Sequence, residues 1–506
     1  MMAGGYGGGE TWNRQESPQA GYGGSPVRRL KALAEARAAA EAESGGSSDQ
    51  AVRSVIRACG VSVCDLKSSD VSFAESSVSQ HLAPIGSGLD GAERLETLSL
   101  SFCPSLPEVS GFAALGSLKD LKGCSLDFSE SKIQDVSGLA AGLGGMERLE
   151  TLSLSFEKCA ALTEMAGFEA LAGLKMLREC QLNFSYSTLR DVRSLGSGLG
   201  ALTQLERLSL NFGGCSCLEA MAGFEVLSNL RSLKSCDIRF SHSNIQDLSA
   251  LGPGLGGMEQ LQSLTLSFRG CPTLAGLAGL EALSSLRALE TCKLTFSYAK
   301  IQDVSALGSG LGGMERLEAL SLDFEDCLVL AQLAGFEALC SLKTLKNCEL
   351  NFAHSSVQDL AALGSGLGGM EQLEHLTLNC CACSALVGVA GLEALSSLKA
   401  LQSCKLDFSE TKIRDLSDLA SGLSGMEQLE SISLSVEECG ALALSLDPKT
   451  SAPVSSEILE ALSSLPALKT RELRFPRVRP AHRVSTFEGE VSSKLLSVEG
   501  DEATSP

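Results

Sequence analysis

The sequence predicts an α/β solenoid in which short repeats stack into one parallel sheet that is backed by short helices. Three observations predict it: a repeat of 28 residues, apolar residues at every second position in one half of the repeat, and apolar residues three or four apart in the other half. Alternation at period two is typical of a strand with one buried face, and steps of three and four are typical of a helix. One strand and one helix cannot bury their apolar faces alone, so neighbouring copies must cover them.

The repeat has two alternating forms, which we call A and B units. An A unit opens with L-x-x-L-x-L-x-F, as at Leu149, and a B unit has Cys in place of the second Leu, as at Leu121. From Leu121 to Leu429 the two forms follow each other every 28 residues. The A units start at Leu95, Leu149, Leu205, Leu261, Leu317, Leu373 and Leu429, and the B units at Leu121, Leu177, Leu233, Leu289, Leu345 and Leu401.

The opening motif of each unit predicts a strand, with Leu152, Leu154 and Phe156 pointing inward in the unit at Leu149. In B units the second half predicts a short helix. In A units the apolar residues step by three, as from Phe168 to Leu171, which favours a 3₁₀ helix. An aspartate precedes each B helix and is predicted to cap its free backbone N–H groups rather than to bind a cation. These residues are Asp135, Asp191, Asp247, Asp303, Asp359 and Asp415.

Over roughly residues 67–475 the sequence resembles the leucine-rich-repeat family, on the motif and period just described. The 28-residue alternating pair is most similar to the ribonuclease-inhibitor-like class. The resemblance implies a curved horseshoe with the parallel sheet on the concave side and short helices on the convex side. It carries over no catalytic residue, because a fold of this kind is nearly silent about function.

Four segments are predicted. Residues 1–50 form a disordered N-terminal segment with a helix over 26–43, and residues 51–94 form a degenerate repeat that caps the N-terminal end of the array. Residues 95–475 form the repeat array, and residues 476–506 a flexible C-terminal tail.

The composition limits which partners are expected and in which compartment the protein is expected. A net charge of −20 argues against nucleic acid and anionic membranes, both of which select basic surfaces. No secretory signal and no apolar run of about 18 residues is found. The sequence therefore predicts a cytoplasmic monomer that binds a protein, with reduced cysteines and no cofactor.

The cysteines form two ladders that predict core packing. The B-type ladder lies at an inward strand position: Cys124, Cys180, Cys236, Cys292, Cys348 and Cys404. The A-type ladder follows the strand: Cys159, Cys215, Cys271, Cys327, Cys383 and Cys439. Equivalent residues two units apart are separated by about 9–10 Å, too far for a disulfide. We expect no metal site at the cluster Cys380, Cys381 and Cys383, on the interpretation that it contains no C-x-x-C pair and has no nearby partner pair at zinc-ligand spacing.

No catalytic constellation is found in the sequence. The phosphate-binding loop G-x-x-x-x-G-K-[S/T] and the nucleophile elbow G-x-S-x-G do not occur. No histidine is followed by a motif that would pair it with a nucleophile. We therefore predict a chain without enzymatic activity.

Two surfaces are predicted to bind a partner. The first is the tenth position of the B unit, which varies while its neighbours do not; two readings are open, rings that pack over the phenylalanine layer or a rim that grips a protein. These residues, the rim column, are Glu130, Tyr186, His242, Tyr298, His354 and Glu410. The second is the outward strand face, which is polar and without anchors, so that a binding face and a merely solvated surface are both open readings. The candidates on it are Gln181, Asp237, Arg239, Lys293, Glu349 and Lys405.

The leading functional hypothesis is a non-enzymatic scaffold that binds a protein through the concave sheet and the adjacent rim. The first alternative is a regulator or inhibitor of an enzyme, comparable to the ribonuclease inhibitor or to a GTPase-activating protein of this repeat class. A substrate adaptor for ubiquitin ligation is the second alternative, disfavoured because residues 1–66 are short and polar for an adaptor segment.

Overall fold

The computed structural model describes residues 68–72, 94–102, 106, 109–443 and 455–476. The predicted segment 1–50, most of the predicted cap at 51–94, and all but the first residue of the predicted tail at 476–506 lie outside the described residues. Their boundaries therefore stay predictions.

Each repeat contributes one five-residue strand to a single parallel sheet, as the alternating motif predicts. The fifteen strands follow one another in chain order, from β1 at one edge to β15 at the other. Their register is constant: Leu152 of one strand pairs with Cys180 of the next, and Leu154 with Leu182. The strands are β1 Ser68–Ser72, β2 Thr97–Ser101, β3 Gly123–Asp127, β4 Thr151–Ser155, β5 Glu179–Asn183, β6 Arg207–Asn211, β7 Ser235–Arg239, β8 Ser263–Ser267, β9 Thr291–Thr295, β10 Ala319–Asp323, β11 Asn347–Asn351, β12 His375–Asn379, β13 Ser403–Asp407, β14 Ser431–Ser435 and β15 Thr470–Arg474.

The face of the sheet that carries the leucines is covered by short helices of two kinds, as predicted. B units supply α-helices: α1 Ser137–Leu143, α2 Arg193–Leu199, α3 Leu251–Leu255, α4 Ser305–Leu311, α5 Ala361–Leu367 and α6 Ser417–Leu423. A units supply 3₁₀ helices: Ser110–Ser117, Phe168–Gly173, Phe224–Asn229, Leu280–Ser285, Phe336–Ser341 and Leu392–Ser397. Two α-helices, α7 Gly440–Ala443 and α8 Ser455–Ser463, precede the last strand.

The aspartates before the B helices act as predicted. Before α1, α2, α4, α5 and α6, the carboxylate oxygen Oδ1 of the aspartate accepts the N–H of the residue two positions on, at 2.7–3.1 Å. That residue is the first of the helix. Asp247 makes the same bond to Ser249, just before α3. A short helix leaves most of its N–H groups without partners inside it, so each such bond defines where the helix begins.

The core is a continuous column of side chains between the sheet and the helices. Ten phenylalanines, one directly after each of β2 to β11, stack with ring centroids 4.8–5.8 Å apart, and we call them the Phe spine. All ten are buried. Cys380 takes the next position and interrupts the stacking before Phe408. The Phe spine and the helices cover one face of the sheet. The opposite face is not covered by helices, and we call it the open face.

Candidate partner-binding surface

The rim column lies in a two-residue turn that follows each B strand. All six of its residues are exposed, and all six have positive φ, between 58° and 63°. The equivalent residue of the A units also has positive φ: Lys158, Gly214, Gly270, Asp326, Ala382 and Glu438. The turn is thus a left-handed corner that recurs in every unit from Glu130 to Glu438. The repeat motif does not predict this corner, and Gly214 and Gly270 are its only sign in the sequence.

The corner is held by hydrogen bonds of the backbone and of the last strand residue. Where that residue is Asp or Asn, its side-chain oxygen accepts the N–H two positions on, as Asn183 does from Ser185 at 3.1 Å. The N–H of each rim-column residue donates to a carbonyl of the next unit at 2.7–2.8 Å. The hydrogen-bond ladder of the sheet therefore continues through the rim, and its main-chain donors are occupied.

The rings of Tyr186 and His242 lie on the turn of the next unit. A Cβ added to Gly214 would be 2.5 Å from Cδ1 of Tyr186, and one added to Gly270 would be 2.4 Å from Nδ1 of His242. Despite this contact, Tyr186 is 58% exposed. The glycines therefore make room for the rings, which lie on the surface rather than in the core.

Tyr298 has a different environment. The guanidinium of Arg269 lies 5.0 Å from the centroid of its ring, within cation–π range, and the ring is 45% exposed. Partial burial raises the pKa of its hydroxyl, and the charge of Glu325 and a hydrogen bond with Asp326 raise it further. The phenol is therefore a neutral hydrogen-bonding group at the edge of an acidic turn.

The predicted residues of the open face divide into paired and accessible ones. Arg239 donates to both carboxylate oxygens of Asp237, at 3.0 and 2.9 Å. Gln181 donates to Glu179 at 2.8 Å, and Glu179 also forms an ion pair with Arg207 at 2.7 Å. Glu349 accepts a hydrogen bond from the hydroxyl of Ser321 at 3.2 Å. Four of the six predicted open-face residues are thus engaged with neighbours on the same face.

Lys293 and Glu349 lie on either side of an open groove of about 400 Å³ at the centre of the face. Small side chains between them, Ala319 and Ser321, form its floor, and His375 lies at its far end. Lys405, farther along, has no described carboxylate within 4.0 Å of its amino group. A shallow groove with separated charges suits an extended polypeptide better than a small molecule, which needs a largely enclosing cavity.

Sequence reasoning missed four polar residues of these surfaces. Glu179, Arg207 and His375 occupy the first strand position, which also faces outward but which was not considered. Arg269 precedes the left-handed residue of an A-unit turn. The strand alternation could have identified the first three, whereas Arg269 required the contact with Tyr298.

The cysteine ladders are buried, as predicted. Burial raises the pKa of each B-type thiol to about 12. Each A-type thiol donates to a phenylalanine carbonyl of the preceding unit at 3.0–3.3 Å, as Cys159 does to Phe128. Cys380 and Cys383 are both buried and are spaced as C-x-x-C, so the expectation that this cluster contains no C-x-x-C pair is wrong. A hydrogen bond between the two thiols raises the pKa of Cys380.

No group of three His, Cys, Asp or Glu side chains is placed to hold a metal ion within the part of the chain that the structure describes. Among the same residues, no helix has both the length and the apolar character that crossing a bilayer requires.

Each unit places leucines on one short strand of a single parallel, unclosed sheet, with a helix returning on the other side. The fold is a leucine-rich-repeat solenoid. Solved structures of similar fold include an internalin of Listeria monocytogenes, with 17% identity, a TM-score of 0.46, and coverage of 84% of this chain and 94% of that one. They also include a leucine-rich-repeat protein of Leptospira interrogans, with 17% identity, a TM-score of 0.45, and coverage of 82% and 96%.

A third solved structure is the functional domain of another Listeria monocytogenes internalin, described as including a cysteine ladder. It shares 15% identity and a TM-score of 0.37, with coverage of 78% of this chain and 72% of that one. The sequence matches no protein-family model and no curated protein.

Proposed function

We propose that this leucine-rich-repeat solenoid is a non-enzymatic scaffold that binds a protein partner on the rim column and the adjacent open face. The observation that carries the proposal is the residue type found in the left-handed corners. Gly214 and Gly270 adopt this backbone at no steric cost. Tyr186 and Tyr298 occupy the same corner, where a side chain other than glycine costs about 1–2 kcal/mol.

That strain favours a role beyond packing. Backbone strain that a protein retains is often found at functional sites. A large aromatic side chain left half exposed in a strained corner stabilises the fold less than glycine would, but it offers contact area to a partner at small entropic cost. The ring is not needed to cover the core, because the phenylalanines of the Phe spine are already buried.

The rim can be tested with glycine in place of each ring. A full-length variant carrying Tyr186→Gly, His242→Gly, Tyr298→Gly and His354→Gly is expected to fold with a stability within about 1 kcal/mol of the parent, since relief of the corner offsets the lost ring contacts. Its capture of the cellular partner should fall at least ten-fold, because loss of one interface anchor typically costs about 2 kcal/mol or more.

The matched control is Ala382→Gly with Glu438→Gly, which relaxes the same corner in two A units that carry no ring. This variant should bind as the parent does. Undiminished capture by the four-fold variant would exclude the rim as the binding surface. A large drop in its unfolding temperature would instead assign the rings a structural role.

The alternative hypothesis, a regulator or inhibitor of an enzyme, is favoured by one observation, the net charge of −20. Such a charge accelerates association with a basic client through long-range attraction. The closer resemblance to the ribonuclease-inhibitor-like class stays a prediction. An association rate that falls steeply between about 0.05 and 0.5 M salt, with a basic enzyme as ligand, would support this alternative.

A further inference from the structure

The rings of the rim column recur at a fixed distance. Because the N–H groups of the corner still bond the next unit, the turns keep the strand spacing of about 4.8 Å. Successive B units are two strands apart, which places Tyr186, His242, Tyr298 and His354 at intervals of about 9.6 Å. Four exposed rings thus form a row about 29 Å long.

This interval matches one backbone conformation of a bound peptide. A polyproline II helix has three residues per turn and rises about 3.1 Å per residue, so equivalent side chains recur every 9.3 Å or so. On one face of an extended strand they recur about every 6.6 Å, and along an α-helix about every 5.4 Å. Of these three repeat distances, only that of the polyproline II helix matches the spacing of all four rings.

The corner also excludes the main alternative mode of peptide binding. A peptide that adds to a sheet as a further strand needs free N–H and C=O groups on the receptor edge. The rim-column N–H groups are already donated within the solenoid. Recognition at the rim must therefore use side chains, which is how polyproline II ligands are bound by rows of aromatic residues.

The turns are acidic. Between Ser129 and Glu438, the two residues of each turn supply seven carboxylates and two basic side chains. The carboxylates are Glu130, Glu157, Glu325, Asp326, Glu410, Glu437 and Glu438, and the basic residues are Lys158 and Arg269. They lie at both ends of the ring row and at its third ring, so they complement a ligand that carries Lys or Arg beside its prolines.

We propose that the rim column binds a proline-rich, basic segment of a partner protein in the polyproline II conformation, with a proline at every third residue packed against each ring. This rests on the proposed function and names the chemistry of the partner. The prolines contact the faces of Tyr186, His242, Tyr298 and His354, and the basic residues meet the turn carboxylates.

The test uses the full-length protein and a fluorescent twelve-residue peptide of four Pro-Ser-Arg repeats, followed by fluorescence anisotropy at about 0.15 M salt. The comparison peptide has the same composition with its prolines at irregular intervals. We expect the regular peptide to bind at least ten-fold more tightly than the irregular one. The four-fold rim variant should lose this preference, and the variant Ala382→Gly with Glu438→Gly should retain it.

Equal binding of the two peptides would overturn the proposal, because an acidic protein attracts any basic peptide without regard to spacing. Unchanged binding of the regular peptide to the four-fold rim variant would also overturn it. If either result occurs while capture of the cellular partner still depends on the rings, the polyproline II inference fails and the proposed function stands. If capture is also independent of the rings, both fail.

Discussion

Gly310 lies where helix α4 of one unit crosses the 3₁₀ helix of the preceding A unit, and Gly310→Ala is expected to force the two units apart. A Cβ at this position would be 2.1 Å from the carbonyl oxygen of Leu280 and 3.1 Å from Cβ of Leu283. Carbon–oxygen contacts in proteins normally lie at about 3.3 Å or more. The two helices must therefore separate by about 1 Å.

The expected loss follows from that displacement. A gap of about 1 Å removes up to half of the dispersion energy of each contact across it, and overpacking typically costs about 1–3 kcal/mol. The added Cβ would meet a backbone oxygen, that of Leu280, so the clash cannot be relieved by rotating a side chain. We therefore take the upper value of about 3 kcal/mol. Alanine is the better helix former by about 1 kcal/mol, which leaves a net loss of about 2 kcal/mol.

The assay is urea-induced unfolding followed by circular dichroism, with Gly276→Ala as the matched control. Gly276 is exposed, its φ is not positive, and no atom lies within 4 Å of an added Cβ. The control should leave stability unchanged or raise it by up to about 1 kcal/mol, because alanine restricts the unfolded chain. Equal effects of the two substitutions would refute the close approach of neighbouring units at Gly310.

Three further predictions concern the core, the helix caps and the buried thiols. Leu266→Ala should cost about 2–5 kcal/mol in denaturant unfolding, while Thr265→Ala on the open face should cost less than about 0.5 kcal/mol; equal losses would mean that the strand register is wrong. Asp303→Ala should cost about 1 kcal/mol and Asp303→Asn much less, since an amide oxygen can still accept the helix N–H; equal costs would contradict a capping role. Burial raises the pKa of Cys292 from 9.0 to about 12, so above pH 9 the unfolded chain releases a proton that the folded chain retains. Stability should therefore be present below pH 9 and fall through the window from 9 to 12, by up to about 1.4 kcal/mol per pH unit for each such thiol. Cys292→Ala should reduce this slope relative to the exposed-site control Cys340→Ala, and an unchanged slope would contradict the buried neutral thiol.

The proposed binding surface was only partly predictable from the sequence. Variation at the tenth B position singled out the rim column, but the sequence could not show that this position is a left-handed corner, because Tyr and Glu are not residues that mark positive φ. Nor could it show that Asp237 pairs with Arg239 while Lys293 faces an open groove. Those relations depend on which side chains of neighbouring strands come within hydrogen-bonding distance, and pattern alone does not define distances.

The sequence by itself determined the fold, the strand register and the core. The repeat has a period of 28 residues, and in its strand Leu152, Leu154 and Phe156 alternate with Ser. Only stacking of the repeats side by side buries all of these apolar side chains, and the same pattern recurs in each repeat. Only the tertiary structure decided the surface. The ring of Tyr186 lies on Gly214 because the sheet ladder continues into the corner and brings the next unit to strand spacing. Whether a side chain is buried follows largely from its own apolar or polar character. The accessibility and the spacing of surface groups instead depend on how consecutive units stack.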